Sequence, residues 1–182
     1  MPSQTFDNFS HAIQDSIDLM QNFDTLNKQP PPPEIEVLKR ASLVMALAAL
    51  ETYFEDRIAE AVHTACEKSR DEDRLKIFYK QSLEVDLKTF HSPNVERVRS
   101  IFKKYLSLDV TEGWSWNHCN QEQAKSELNR LVKKRGDIAH RSLRPVVGQP
   151  VAHPVTKDDM RKHIHFIKEL VKATDVYLES QL

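Results

Sequence analysis

The chain is expected to fold as an all-α, up-and-down bundle of five or six helices. Three observations lead there. Apolar residues recur at steps of three and four through almost every segment, which is the helical period. No stretch of useful length shows the apolar alternation of a half-buried strand. Only 3 glycines occur in 182 residues, too few for a fold built on tight hairpin turns.

Phe6, Phe9, Ile13, Ile17, Met20 and Phe23 mark a first amphipathic helix over about 5–26. Pro30 to Pro33 stop it and form a stiff spacer, although a proline run can also serve as an SH3-type ligand. A second helix covers about 34–68, with Leu43, Leu47, Leu50, Phe54, Ile58, Ala61 and Ala65 as its stripe. The charged cluster at 67–74 reads as a solvated turn. Leu75, Phe78, Leu83, Leu87 and Phe90 give a third helical pattern over 74–90.

Ser92-Pro93 pairs a capping residue with proline at the first helical position, so a fourth helix is placed at 93–106. Val95, Val98, Phe102 and Tyr105 face inward on it. A loop at 109–120 carries Trp114 and Trp116, which either clamp the bundle edge or stack on a base; packing is the ordinary reading. A fifth helix covers about 121–139, followed by a loop with Pro145, Gly148, Pro150 and Pro154. Thr156 and Asp159 resemble a capping box with Asp in place of Glu. The last helix runs on through Met160, Ile164, Ile167, Leu170, Val171 and Tyr177. The length suits one domain, with an N-terminal helix at 1–29, a proline spacer at 30–33 and a core bundle at 34–182.

A net charge of −1 excludes a global field that would recruit nucleic acid, so any such contact must come from a local patch. Cys66 and Cys119 lie far apart without a partner motif and read as reduced thiols of a cytoplasmic protein. The first ten residues lack the apolar stretch of a signal peptide. The longest apolar run, 43–50, is too short to span a bilayer, so no membrane partner is expected.

Two charged residues stand where core residues belong. Arg135 falls within the stripe of Leu128, Leu131, Val132 and Ala139; Glu51 lies four after Leu47 and three before Phe54. A charge on an apolar stripe is costly unless it is paired or faces a cleft. A shared Glu51–Arg135 salt bridge resolves both anomalies and orients the guanidinium fork as a phosphate site needs. His140, five residues after Arg135, adds a group that titrates near neutral pH.

On an ideal helix the two are separated by roughly 140°. Either the helix ends near His140 and the imidazole swings round, or two copies of the helix face each other across a dimer. Gly136 favours the second, because it admits close approach of another backbone. Asp137 falls on the opposite side from Arg135, solvated or paired with a basic neighbour such as Arg141.

This residue set suits RNA cleavage by attack of the 2′-OH on the adjacent phosphate. That reaction needs an acid or base near pH 7 and a positive charge on the developing phosphorane, and it requires no metal. Arg130, Lys133, Lys134, Arg141 and Arg144 flank the pair and supply local attraction for a phosphate backbone, or else form a solvated face. By spacing alone, a structural Arg-Glu pair with a histidine at a helix C-terminus is the ordinary reading of the motif. His63 with Cys66 and His118 with Cys119 lack the spacing of a zinc site, so no metal or other cofactor is expected. His163 and His165 read as surface histidines, and Tyr53 as core.

Arg135-Gly136-Asp137-Ile138-Ala139-His140 is similar to the Arg-x4–6-His signature of the HEPN superfamily, and the preceding Leu131-Val132-Lys133-Lys134 fits its lead-in. Ala48-Ala49-Leu50-Glu51-Thr52-Tyr53-Phe54-Glu55 resembles the second-helix segment of the RiboL-PSP-HEPN branch. Ser92-Pro93-Asn94-Val95, the tryptophan loop and the closing helix from Thr156 also resemble that branch, so the resemblance covers about 34 to 182. It implies a HEPN-like bundle and a metal-independent endoribonuclease that dimerises and acts as a toxin or in phage defence, with an antitoxin or regulatory protein as a further partner. Arg135 and His140 would then be catalytic and Glu51 supporting. A polar residue often follows the motif arginine; here Gly136 stands there, and Asp137 would have to replace its function. A non-catalytic module that binds RNA or a protein is the alternative.

Overall fold

The computed structural model describes residues 2–28, 32–70, 72–141 and 155–182. The described residues contain seven helical segments and no strand, with an isolated bridge between Trp116 and Cys119. The first expected helix is two: α1 (Gln4–Ala12) and α2 (Gln14–Leu26), broken at Ile13, whose side chain is buried. A 3-10 turn at Pro33–Ile35 leads into α3 (Glu36–Lys68), followed by α4 (Asp73–Leu87) and α5 (Val95–Leu106). A second 3-10 turn at Val110–Gly113 precedes α6 (Gln121–Arg141) and α7 (Lys157–Gln181).

The 33-residue α3 is the centre of the bundle, and α1, α2, α4, α5, α6 and α7 all pack on it. Its stripe is buried as its spacing requires, from Leu43 to Ala61, except that Cys66 replaces Ala65 at the inner face near the end. Against α2 the approach is close because two small residues meet. The Ser16 and Ser42 hydroxyls each donate to the other's backbone carbonyl, at 2.8 and 3.0 Å. Trp114 is fully buried, and its indole N–H donates to Thr174 Oγ1 at 2.9 Å, so the packing reading of that residue holds. Gly113 lies so close to the Tyr177 ring that a β-carbon has no room there.

Caps set the helix starts. Thr156 and Asp159 form the expected capping box on α7, and Asn120 and Gln123 exchange the same pair of bonds ahead of α6. Helix α5 departs from expectation. Its cap is Asn94, whose side chain accepts from the Arg97 N–H, not Ser92. Ser92 has φ 60°, which is incompatible with the extended backbone of a capping residue.

Helix α4 also departs from its pattern. Leu83 is buried, but Leu75, Ile77, Phe78 and Val85 are exposed. Helix α4 packs on α3 and meets α5 through Tyr79 and Asp86, and these contacts leave the face bearing Leu75, Ile77, Phe78 and Val85 uncovered.

Among the buried polar side chains, Arg57, Asp175 and His163 lie deep in the bundle. Arg57, 2% exposed, donates from Nε to Asp175 at 3.0 Å and from Nη2 to Glu179 at 2.8 Å. Asp175 also accepts from the Ser3 N–H and hydroxyl, so one carboxylate ties the start of α1 to α3 and α7. His163, expected at the surface, is buried between α6 and α7. Its Nε2 faces Arg130 at 3.2 Å, and its Nδ1 has no hydrogen-bond partner among the described residues. It sits on the inner stripe, three after Met160 and four before Ile167, which the spacing of two from His165 did not reveal. Burial, followed by the Lys134 and Arg130 charges, pushes its imidazole down to about 4.

Asp175→Ala should leave Arg57 buried without its partner and cost about 3–5 kcal/mol in urea unfolding. A loss under about 1 kcal/mol would show that the pair does not hold α1, α3 and α7 together. In the folded state His163 stays neutral well below its ordinary range. Only the unfolded chain therefore takes up this proton between about pH 6.5 and 4, and stability falls as pH is lowered through that window. The expected loss is of order 3 kcal/mol. In His163→Gln the slope over that window should shrink; an unchanged slope would assign the acid sensitivity to other groups.

Candidate functional site

The site lies where the second half of α6 runs back along α3. Leu128 and Leu131 are fully buried and pull α6 onto the core, and Ile138 extends that face at 9% exposure. Ala139, expected inside, is exposed; it shares a side of the helix with Val132, itself only partly buried. Arg135 falls on the inner face, as its place in the stripe requires. There its Nη2 donates to Glu51 Oε2 at 2.8 Å.

This salt bridge is part of a larger arrangement. The Ser92 backbone N–H donates to the same Glu51 oxygen at 3.2 Å, and Arg135 Nη1 reaches Ser92 Oγ at 3.4 Å. Glu51 therefore holds both the guanidinium and the turn before α5. The Arg135 side chain is 28% exposed and that of Glu51 18%, so the pair is partly shielded yet open to a ligand. A guanidinium fixed by a carboxylate and a hydroxyl, with part of its fork facing solvent, is suited to binding a phosphate oxygen. Glu55, one turn after Glu51, is pushed up by burial and by the neighbouring Glu51 and Asp56 carboxylates, while His91 opposes the shift.

The other expected residues are placed differently. Helix α6 continues through Arg141, so it does not end early enough for His140 to swing toward Arg135. His140 is exposed, roughly 140° around the helix from Arg135. Asp137 is exposed on the side away from Arg135. Lys134 lies 3.5 Å from Asp159 of α7, while Lys133 is exposed. Arg130 pairs with Glu127 at 2.6 Å. Arg144 lies outside the described residues, as do the side chain of Arg141, the loop prolines 145, 150 and 154, and the first two prolines of the spacer.

Among the described residues, no group of three or more His, Cys, Asp and Glu side chains could hold a metal ion. Cys66 is buried and Cys119 partly so, both as thiols. No helix of the described residues is long and apolar enough to cross a membrane.

Sequence reasoning missed two members of the site, Ser92 and His91. Ser92 carried a helix-cap signal that masked its position in the turn. His91 carried no periodic signal, since it stands in the connection between α4 and α5.

Gly136 follows the motif arginine, and a β-carbon there would meet nothing within 4 Å. Gly136→Ala should therefore raise the stability of the chain by about 0.5–1 kcal/mol, the usual gain for Ala over Gly within a helix. A loss in urea unfolding would reveal a close neighbour of this face.

A family model described as RiboL-PSP-HEPN matches residues 8–180, nearly the whole chain. No curated protein and no solved structure matches it. The helical bundle and the matched span agree: the chain belongs to the RiboL-PSP-HEPN family of HEPN domains.

Proposed function

We propose that this protein is a metal-independent endoribonuclease that works as a homodimer. The observation that carries the reading is the Arg135 guanidinium, held partly exposed by Glu51 and Ser92 on the helix that also bears His140. In the proposed reaction Arg135 stabilises the charge that develops on the phosphorane, and His140 exchanges a proton with the RNA. Glu51 positions the arginine, and the exposed Lys133 adds attraction for the backbone, with Arg141 and Arg144 as further contacts; Lys134, expected among them, is engaged by Asp159 of α7. The 2′-oxygen attacks phosphorus and the 5′-oxygen leaves, so the products carry 2′,3′-cyclic phosphate and 5′-hydroxyl ends.

Two features support the dimer. His140 and Arg135 project from different sides of an unbroken helix, so one site is more easily completed by Arg135 of one copy and His140 of another. Beside the end of α6 lies an apolar groove of about 310 Å³ lined by Val37, Arg40, Ala41, Val44, Met45 and Ile138. Val37 is 50% exposed, and such an open apolar groove suits a second copy. The biological setting that fits the family is a toxin or phage-defence effector restrained by an antitoxin or regulatory protein.

One observation favours a second reading. In a single copy the outward-facing His140 stands away from the guanidinium, as it would in a module that binds RNA or a protein without cleaving it.

Purified protein is incubated with total RNA in EDTA beside Arg135→Ala and His140→Ala. Wild type should yield fragments with cyclic phosphate ends, and each variant should lose activity by about 10²-fold or more. RNA left intact by wild type but bound by it would favour the binding module. Equal cleavage by His140→Ala would remove that residue from the reaction.

A further inference from the structure

In one copy of the chain, the histidine that stands beside the Arg135 pair is His91. Its Nδ1 is 3.9 Å from Glu51 Oε1, while the other oxygen of that carboxylate accepts from Arg135. A single carboxylate thus has the imidazole on one oxygen and the guanidinium on the other.

The backbone around His91 supports a built arrangement. Ser92, the next residue, takes the left-handed φ of 60°, a conformation that non-glycine residues adopt only at a cost. Its N–H and hydroxyl engage Glu51 and Arg135, which offsets that cost and turns the chain so that His91 lies over Glu51. The His91 carbonyl accepts from the Arg97 guanidinium of α5, which anchors the other side of the turn. The charged groups around the imidazole are Glu51 and Glu55 of α3, Arg135 of α6 and Arg97 of α5. The His91 side chain is 73% exposed, so a polymer substrate can reach it.

We propose that His91 is a second catalytic residue of this site: the base that takes the 2′-OH proton of an RNA whose phosphate is bound by Arg135. The proposal rests on the ribonuclease reading and deepens it. The O–H bond of the 2′-hydroxyl breaks as its proton passes to a ring nitrogen of neutral His91. The 2′-oxygen–phosphorus bond forms, the bond from phosphorus to the 5′-oxygen breaks, and the leaving oxygen receives a proton from His140 of a second copy. Protons and electron pairs balance without a co-reactant.

The test compares two short RNAs of one sequence, one natural and one with sulfur in place of the bridging 5′-oxygen at the cleaved linkage. A thiolate leaves without protonation, so sulfur compensates for a missing acid and not for a missing base. His140→Ala should lose about 10²–10⁴-fold on the oxygen substrate and recover most of it on the sulfur one. His91→Ala should lose a similar factor on both. Its exposure predicts an unchanged melting temperature, which separates a chemical defect from unfolding.

Activity of His91→Ala within about threefold of wild type on the oxygen substrate would overturn the proposal. Rescue of His91→Ala by sulfur would also overturn it as the base. Failure of wild type on both substrates would instead remove the ribonuclease reading on which the proposal stands.

Discussion

The buried pair of Arg57 and Asp175 is the constraint on which the rest of the molecule depends. Asp175 of α7 is the meeting point, reached by hydrogen bonds from Ser3 at the start of α1 and by the salt bridge from Arg57 of α3. A guanidinium that is 2% exposed is sensitive to slippage, because a shift of α7 would break at least one of its contacts with Asp175 and Glu179, and only the 3.9 Å contact with Glu60 lies on its own helix. Hydrophobic packing supplies the driving force for the bundle, but apolar stripes alone permit several registers. The Arg57 fork, satisfied by Asp175 and Glu179 together, selects one.

The functional site follows from that register. Glu51 precedes Arg57 by six residues on α3, so fixing the helix at Arg57 fixes the direction in which the Glu51 carboxylate points. Helix α6 then delivers Arg135 to it, across 84 residues of chain. The same carboxylate stabilises the strained turn at Ser92 and has His91 at its second oxygen. Strain at Ser92 is therefore compensated at the place where the charged groups converge, as at many sites that act on a ligand. The Arg57–Asp175 pair is closed to solvent and maintains structure, whereas the Glu51 pair remains partly open, as the proposed phosphate contact requires.

Charge on α6 is distributed in the same spirit. Arg130 and Lys134 turn toward acidic partners and the buried His163, and so belong to the α6–α7 interface. Lys133 faces outward on the side of the helix that carries His140. Basic residues close together in sequence thus divide between holding two helices together and facing solvent.

Helical periodicity is a local property, and it made most of this fold legible. The stripes of α3, α5 and α7, the Thr156 capping box and the absence of strand alternation follow from residues within a few positions of one another. The Glu51–Arg135 pair was legible as well, because each charge interrupts an apolar stripe and only a mutual contact removes both penalties. The exposed face of α4, the burial of His163, the role of Ser92 and the placement of His91 were decided by tertiary structure. Each depends on which element lies opposite, and that is settled by distances through space between residues far apart in the chain. The sequence determined that this is a helical bundle with an arginine inside it; only the packing of α3 against α6 and the turn before α5 decided which groups surround that arginine.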